Sequence, residues 1–155
     1  MCGITGIFSF HQRNSLNLNP PDKRILQRMT RTLTYRGPDA EGYYTDEFVG
    51  LGHRRLAIID LSPQGKEPMT NEDRTIWLTF NGEIYNFKSI REELINKGHR
   101  FSSETDAEVI IHGYEEFGDA IVPKLQGMFA FGLWDLRKKR MLLARDRVGK
   151  KPLVY

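Results

Sequence analysis

The stretch Met1-Cys2-Gly3-Ile4-Thr5-Gly6-Ile7 opens the chain and contains its single cysteine, directly behind the initiator methionine. Because the side chain after Met1 is small, ordinary aminopeptidase trimming would expose Cys2 as the first residue. An α-amine with an ordinary pKa of about 7.7–8.0 and a thiol with a pKa of about 8.5 would then share one residue. This pairing predicts a cysteine nucleophile that carries its own general base. The competing interpretation is a buried cysteine at the start of a strand.

Outward from this stretch, a short strand and an amphipathic helix are predicted. Residues 3–10 are typical of a strand and residues 11–19 of a polar loop. Four apolar residues then recur at a spacing close to 3.6 and predict a helix over 22–34: Ile25, Leu26, Met29 and Leu33. The turn-rich loop Tyr35-Arg36-Gly37-Pro38-Asp39 follows this helix.

The remainder alternates strands with helices in blocks. Strands are predicted at 48–54, 56–61, 75–80, 128–135, 140–145 and 151–155. Helices are predicted after the N-caps Asn86 and Thr105, with Gly98 and Gly118 at their ends and a short helical piece before Gly127. Asn81 and Gly82 are placed where a strand ends in a turn. Strands first, helices in the middle and strands last favour an α+β layered fold over βαβ units.

The composition limits the classes of protein to which this chain can belong. The chain has 155 residues, 39% of them hydrophobic, with a net charge of +3, which fits one soluble globular domain. One cysteine excludes an internal disulfide, and the four histidines lack metal-ligand spacing, so no metal site is predicted. The chain has neither a secretory signal nor an apolar run of about 18 residues, so we expect a cytoplasmic protein that binds no membrane.

The basic run Arg137-Lys138-Lys139-Arg140 has two interpretations. It resembles a nuclear-localisation or nucleic-acid patch. It also lies between two apolar segments, as the solvated tip of a hairpin does. The second interpretation is simpler, and we expect no nucleic-acid partner.

Four further stretches carry unusual side-chain chemistry: Tyr35-Arg36-Gly37-Pro38-Asp39, Gly52-His53-Arg54-Arg55-Leu56-Ala57-Ile58-Ile59-Asp60, Asn81-Gly82-Glu83-Ile84-Tyr85-Asn86 and Glu104-Thr105-Asp106-Ala107-Glu108. With Cys2-Gly3-Ile4 they resemble, in order, the class II glutamine amidotransferase domain over 1–155. That resemblance implies the N-terminal-nucleophile hydrolase fold, a four-layer αββα sandwich. The segments GHRRL, NGEIYN and ARDRVGKKPLVY are similar to the glutamine-hydrolysing asparagine synthetase branch.

The resemblance implies a role for each motif in hydrolysing L-glutamine through a Cys2 thioester. The Asn81 amide and the Gly82 N–H are predicted to hold the oxyanion, although Asn-Gly is also a common β-turn. Arg55 is predicted to bind the substrate α-carboxylate. On a plainer interpretation Arg54 and Arg55 are surface charges, and only the resemblance selects Arg55.

The same resemblance assigns the substrate α-ammonium to Asp106, although a carboxylate is favoured at a helix start in any case. Glu83 and backbone carbonyls of the segment from Arg55 onward are implied to assist. The residues of this segment are Leu56, Ala57, Ile58 and Ile59. No metal ligand is implied.

The chain departs from complete synthetases of this branch in two ways. First, nothing of the family's ATP-pyrophosphatase domain is present, since there is no Ser-Gly-Gly nucleotide loop and Gly149-Lys150-Lys151 does not make a P-loop. Second, the resemblance implies an amidotransferase domain that continues past the final Lys-Pro-Leu segment with more sheet and helix. We therefore expect no cofactor in this domain, with ATP and Mg needed only by the absent synthetase domain, and truncation of the amidotransferase domain at the C-terminus. The expected partners are L-glutamine, an ammonia-accepting synthetase domain or chain, and a second copy in a homodimer.

Two alternatives remain open at this point. A catalytically silent glutamine-binding or docking module of the same fold would result if Met1 were retained or the domain were incomplete, because a retained Met1 converts the α-amine of Cys2 into an amide. A Cys-His dyad formed by Cys2 and His53 would require the thiol and the imidazole to lie within hydrogen-bonding distance.

Overall fold

The computed structural model describes residues 1–9, 20–57 and 65–155. Four elements form the first part: β1 (Gly3–Phe8), α1 (Lys23–Arg31), β2 (Ala40–Thr45) and β3 (Val49–Arg55). Asp22 caps the N-terminus of helix α1, and its carboxylate accepts a hydrogen bond from the Arg24 N–H at 2.7 Å. The three strands of this first part form an antiparallel sheet in the order β1-β3-β2.

The second part contains a four-stranded antiparallel sheet and the remaining helices. Its strands are β4 (Met69–Thr70), β5 (Ile76–Ile84), β6 (Gly127–Asp135) and β7 (Arg140–Arg145), hydrogen-bonded in that order. Between β5 and β6 lie α2 (Phe87–Asn96), α3 (Glu108–Phe117), a 3-10 turn at Gly118–Ala120 and the short α4 (Ile121–Lys124).

These elements stack in four layers. Helix α1 packs on the first sheet, where Leu26 lies against Gly50 and Gly52. Between the sheets, Val49, Leu51 and Trp134 form one buried cluster. Helices α2, α3 and α4 cover the other face of the second sheet through a larger apolar core. The arrangement is the predicted α+β sandwich of two sheets between helical layers.

The hairpin of β6 and β7 is confirmed, with the basic run at its turn. Each of the four cations has a contact within the chain: Arg137 pairs with Asp73, Lys138 with Asp135 and Arg140 with Asp119, while Lys139 lies over the Phe48 ring. The run is therefore held as a hairpin tip. No helix in the described part of the chain has the length and apolarity needed to cross a membrane.

Several predicted boundaries are wrong. The strand predicted at 75–80 continues to Ile84, so Asn81 and Gly82 lie inside β5, opposite Ala130 and Phe129. Pairing with β6 along the whole of β5 overrides the local turn preference of Asn-Gly. Strand β2 was not predicted, because its sequence AEGYYT has no regular apolar alternation.

Local hydrogen bonds explain two further differences from the prediction, at the starts of α3 and α2. Helix α3 begins at Glu108 rather than after Thr105, because the Glu108 carboxylate accepts hydrogen bonds from the N–H groups of Ser102 and Ser103 and holds the preceding residues in a loop. Asn86 precedes α2 without capping it, since its side chain bonds Lys124 and Gln126.

Five predicted segments differ from the structure or lie partly or wholly outside the described residues. Helix α1 ends at Arg31 instead of residue 34, and residues 151–155 form no strand, because the Asp146 carboxylate accepts the N–H of Lys151 in a turn. Residues 56–57 are not in a strand either, and the rest of the strand predicted at 56–61 falls outside the described residues. Strand β1 ends at Phe8, and the loop predicted at 11–19 is likewise not described.

Candidate active site

A cleft of about 130 Å³ opens where β1 begins, β3 ends and β5 passes the loop before α3. The predicted site residues that the structure describes all line this cleft: Cys2, Arg55, Leu56, Ala57, Asn81, Gly82, Glu83 and Asp106. Ile58 and Ile59, also predicted, lie outside the described residues. Residues far apart in sequence thus meet at one place, while their individual roles remain predictions.

Cys2 is half-buried at the start of β1, and its thiol lies beside the backbone of Leu56. The Leu56 N–H donates to Sγ at 3.4 Å, and the Leu56 carbonyl oxygen lies 3.7 Å from Sγ. Burial raises the pKa of the Cys2 thiol above its ordinary value, and the Leu56 N–H opposes that rise. The thiol is therefore protonated near neutral pH and needs a base before it can act as a nucleophile.

The turn-rich loop 35–39 is hydrogen-bonded both to Cys2 and to the end of β3. Arg36 Nε donates to the Cys2 carbonyl oxygen at 3.2 Å. The Asp39 carboxylate accepts the Ala57 N–H at 2.8 Å, and the Asp39 N–H donates to the Arg55 carbonyl at 3.0 Å. A Cβ at Gly37 would overlap the carbonyl of Arg54, so only glycine lets the loop pack this closely. The loop is thus a scaffold for the cleft.

The structure separates Arg54 from Arg55, which the sequence alone could not. Adjacent strand residues point to opposite faces. Arg54 is buried, with Nε donating to the Gly37 carbonyl at 2.8 Å and Nη1 to Glu41 at 2.9 Å. Arg55 lines the cleft, where its guanidinium lies against Gly65. Arg54 therefore holds the scaffold loop, and Arg55 is the arginine that a ligand in the cleft can reach.

Strand β5 presents a row of N–H groups to the cleft. The Phe80 N–H donates to the Glu67 carboxylate at 2.6 Å, and the Ile84 N–H donates to the Asp106 carboxylate at 2.7 Å. Because alternate N–H groups of a strand point to the same edge, the Gly82 N–H lies between these two and faces the same way. A Cβ at Gly82 would overlap the Met128 carbonyl, so this strand position also requires glycine.

Asp106 joins the loop before α3 to the end of β5. Its side chain is buried, and desolvation raises its pKa to about 6, against hydrogen bonds from the Ile84 N–H and nearby backbone N–H groups. The exposed Glu83 carboxylate adds to this rise. A cationic group in the cleft would lower this pKa again and favour the charged form of Asp106.

Glu67, which no pattern in the sequence marked, is a buried acid of the cleft. One carboxylate oxygen accepts from the Phe80 N–H, and the other lies 3.6 Å from His53 Nε2. Desolvation raises the pKa of Glu67 well above its ordinary value of 4.5, and the Asp106 charge adds to the rise. The segment around Glu67 has no periodicity or motif that marks it, because its role arises only where it meets β3 and β5.

The hydrogen bonds do not support a Cys2–His53 dyad. His53 Nε2 lies 3.1 Å from the Phe80 carbonyl oxygen, which can only accept, so Nε2 carries the proton and donates it. Burial lowers the pKa of His53 to about 4, which keeps the ring neutral. His53 is absent from the described residues that line the cleft. Its ring instead supports β5 from the first sheet.

Lys151 was also missed, although it lines the cleft. Its side chain is buried and Nζ donates to the Met1 thioether sulfur at 2.7 Å. The Lys151 N–H is held by Asp146 and its carbonyl by Arg145 Nε. The ammonium is thus fixed beside the residue whose removal would expose the Cys2 amine.

A family model described as a glutamine amidotransferase domain matches residues 1–155, and the chain belongs to this family. Asparagine synthetase [glutamine-hydrolyzing] 1 of Bacillus subtilis (strain 168) is 42% identical over 155 residues, covering 100% of this chain and 24% of that protein. Asparagine synthetase [glutamine-hydrolyzing] 3 of Arabidopsis thaliana is 45% identical over 153 residues, covering 99% and 25%. The chain therefore spans about a quarter of the length of these relatives.

Among solved structures, the chain resembles the glutamine phosphoribosylpyrophosphate (PRPP) amidotransferase from B. subtilis complexed with ADP and GMP. The match has a TM-score of 0.54 and 21% identity, and it covers 66% of this chain and 24% of the other. This likeness confirms the predicted fold class.

Proposed function

We propose that this domain hydrolyses L-glutamine to glutamate and ammonia through a γ-glutamyl thioester on Cys2, as the glutaminase half of an asparagine-synthetase-like amidotransferase. The observation that carries the proposal is the meeting of a thiol, an arginine, a glycine N–H and an aspartate around one cleft, from Cys2, Arg55, Gly82 and Asp106. Family membership supports the reaction class.

Chemistry begins once Met1 has been removed. The α-amine of Cys2 accepts the thiol proton, and Sγ attacks the γ-carbonyl carbon of glutamine. The Leu56 N–H, 3.4 Å from Sγ, stabilises the thiolate as it forms. The tetrahedral intermediate then expels ammonia, which takes a proton from the α-ammonium of Cys2. Water attacks the resulting thioester, glutamate leaves and the thiol regains its proton.

Negative charge on the γ-oxygen is stabilised by the Gly82 N–H and the Asn81 amide. Both belong to a strand that is paired along its length with β6, so the donors are held before the substrate arrives. Glu67 and Asp106 flank the Gly82 N–H, and burial raises the pKa of both carboxyl groups, that of Asp106 to about 6 and that of Glu67 well above its ordinary value. A neutral Glu67 avoids placing a second negative charge beside the oxyanion.

The ends of free glutamine are recognised by opposite charges. Arg55 binds the α-carboxylate through two N–H groups of its planar guanidinium. Asp106 binds the α-ammonium, which offsets the desolvation of the aspartate. Glu83 and the backbone carbonyls of residues 55–59 complete this binding. In this arrangement the γ-amide reaches Cys2 only when both charged ends are in place.

The domain needs no cofactor for this reaction, and ATP and Mg act only with the ammonia-accepting synthetase unit. The longer relatives are named asparagine synthetases, which supports aspartate-derived asparagine as the product of the complete system. A homodimer and a cytoplasmic location belong to the same proposal. Size-exclusion chromatography with light scattering tests the dimer.

One observation favours a second candidate, a silent glutamine-binding module. The Met1 side chain lines the cleft and contacts Lys151. While Met1 remains, the nitrogen of Cys2 is an amide and cannot accept a proton. Mass analysis of the N-terminus, paired with glutamate release, separates the two candidates: a processed and active protein excludes the silent module.

The experiment that tests the proposal compares glutamine with glutamine methyl ester and N-acetylglutamine. Blocking either end should abolish turnover by the processed enzyme. Arg55→Ala and Asp106→Ala should each lower kcat/KM by about 30-fold to several thousand-fold, equivalent to roughly 2–5 kcal/mol. Cys2→Ala should reduce glutamate release to background while the variant still binds glutamine.

The matched control for Arg55→Ala is Arg55→Lys, which keeps the charge but not the planar pair of donors and should also be impaired. Arg147→Ala removes an arginine outside the cleft lining and should leave kcat/KM near wild type. Equal turnover of the blocked and free substrates, or wild-type kinetics in both alanine variants, would refute the glutamine clamp.

A further inference from the structure

A cluster of imidazole and carboxylate groups lies outside the cleft, where the turn after α2 packs on α3. His99, His112 and Glu115 each place one ligand atom within 4.8 Å of the other two. His99 lies just beyond Gly98, and the other two lie one helical turn apart on α3. Histidines that have no metal-ligand spacing in the sequence are therefore brought together by the packing of two helices.

Both imidazoles face Glu115 with one nitrogen and a second carboxylate with the other. Nδ1 of His112 lies 2.8 Å from Glu115 Oε2, and Nδ1 of His99 lies 3.6 Å from the same oxygen. Nε2 of His112 lies 3.5 Å from Glu108, and Nε2 of His99 lies 3.4 Å from Glu116. Metal-binding histidines usually have this arrangement, in which the outer nitrogen donates to a carboxylate that orients the ring.

The separations suit a tetrahedral ion. Bonds of about 2.0–2.1 Å place the ligand atoms of a tetrahedral zinc site roughly 3.3 Å apart. The two N···O separations to Glu115, 2.8 and 3.6 Å, lie on either side of that value, and all three ligand atoms lie within 4.8 Å of one another. Asn71 Nδ2 donates to the other Glu115 oxygen at 2.7 Å and holds the carboxylate in position.

The charge around the cluster favours a cation. Three carboxylates, those of Glu108, Glu115 and Glu116, face the two imidazoles, and Lys97 pairs with Glu116 at 2.8 Å. Lys97 offsets only one of the three carboxylates, so the charge around the imidazoles favours a cation.

We propose that His99 Nδ1, His112 Nδ1 and the Glu115 carboxylate form a binding site for a divalent transition metal, foremost Zn²⁺, with Glu108 and Glu116 orienting the two histidines. Two imidazoles and one carboxylate suit Zn²⁺ rather than Mg²⁺ or Ca²⁺, which prefer oxygen ligands. The fourth position is left to water. The bound ion ties the end of α2 to α3 and stabilises the helical layer.

The test uses chelator-treated protein carrying Cys2→Ala, so that the thiol of the cleft cannot bind the ion. Zinc should bind with a stoichiometry of one per chain by calorimetry and raise the thermal unfolding temperature, and Mg²⁺ should do neither. His99→Asn, at a half-buried position, should abolish binding while the far-ultraviolet dichroism stays that of the folded protein. Glu116→Gln should weaken binding by about 10- to 100-fold.

Glu92→Gln is the matched control, because it removes an exposed carboxylate from α2 outside the cluster and should leave zinc affinity unchanged. Cobalt provides a second readout, since a tetrahedral Co²⁺ site gives visible absorption bands that His99→Asn should remove. The proposal fails if folded protein binds no zinc, if Cys2→Ala alone removes the binding, or if His99→Asn binds zinc as the parent does. Equal losses in Glu116→Gln and Glu92→Gln would show attraction by surface charge only.

Discussion

Two buried glutamate–histidine pairs of this domain have nearly the same geometry, but the pKa shifts favour the neutral forms in one pair and the charged forms in the other. Glu67 and His53 lie under the cleft with a carboxylate oxygen 3.6 Å from Nε2, and Glu108 and His112 lie in the helical layer at 3.5 Å. Burial lowers the pKa of His53 to about 4. Burial also opposes protonation of His112, but hydrogen bonds to Glu108 and Glu115 raise its pKa to about 9. The pKa of Glu67 is raised, and that of Glu108 is lowered to about 2.

The difference comes from the neighbours of each pair. Glu67 accepts one backbone N–H, from Phe80, and faces the Asp106 carboxyl group. Although burial opposes its ionisation as well, Glu108 accepts hydrogen bonds from the N–H and hydroxyl groups of both Ser102 and Ser103. Burial alone therefore does not decide the charge of a carboxyl group, because the number of donors around it sets which form is stable.

The charge of each pair has a different consequence for the region around it. A neutral pair under the cleft adds no negative charge where the thiolate of Cys2 and the oxyanion are proposed to form. A charged pair in the helical layer holds the loop before α3, which continues to Asp106. The following predictions test this division, from the largest expected effect to the smallest.

Replacing Asn81 tests whether negative charge develops in the cleft above the neutral Glu67–His53 pair. Asn81→Ala should lower kcat by about 10²–10³-fold, with little change in glutamine affinity, because the amide donor is needed only when the oxyanion forms. Steady-state kinetics on the processed enzyme measures this. An effect confined to KM would instead assign Asn81 to binding of ground-state glutamine.

Glu108→Gln tests the charged pair. Removing one charge of a buried ion pair should destabilise the chelator-treated protein by about 3 kcal/mol, because His112 and the serine donors lose an anionic partner. Urea denaturation measures the free energy of unfolding. A loss below about 0.5 kcal/mol, the size expected for a surface substitution, would mean that Glu108 is not charged in the folded protein.

Asp106 should make glutamine binding pH-dependent. Its raised pKa, about 6, means that the carboxylate is lost as the pH falls through 6. In Cys2→Ala, which binds without turnover, the dissociation constant should rise by about tenfold per pH unit below that value, because a neutral carboxyl group no longer pairs with the α-ammonium. Calorimetry from about pH 5 to about pH 8 measures this, and the double variant with Asp106→Asn should bind weakly at every pH.

Near pH 5, Glu67→Gln should have the smallest effect, since glutamine resembles a protonated glutamate in shape and charge. The substitution should change the free energy of unfolding by less than about 1 kcal/mol near pH 5. Above the ordinary value of 4.5, the unfolded chain releases the Glu67 proton while the folded protein keeps it. Wild type therefore loses stability as the pH rises, and Glu67→Gln does not lose this contribution.

The measurement is urea denaturation of both proteins at about pH 5 and about pH 8, so that other titrating groups cancel in the difference. The groups that face Glu67 are His53 from β3, the Phe80 N–H from β5, and the charges of Arg55 and Asp106. If Glu67 were ionised in the folded protein, Glu67→Gln would become the less stable protein as the pH rises. That result would overturn the neutral pair.

Much of the architecture could be predicted from local patterns. The spacing of apolar residues predicted α1, and glycines predicted the ends of α2 and α3. The apolar runs on both sides of the basic turn predicted the β6–β7 hairpin. The errors fall where pairing decides instead. Asn81 and Gly82 lie within a strand because β6 supplies partners as far as Ile84, and β2 forms because β3 pairs with it.

The sequence by itself determined which groups are candidates for the reaction: a lone cysteine behind Met1, and the motifs that contain Arg55, Asn81 and Asp106. These are local features, so they are visible along the chain. Only the tertiary structure decided that Arg55 rather than Arg54 lines the cleft, that the Gly82 N–H is flanked by two carboxyl groups, and that Glu67 and Glu108 differ in charge. The physical reason is that solvation and hydrogen bonding depend on residues distant in sequence, which meet only after the two sheets have packed.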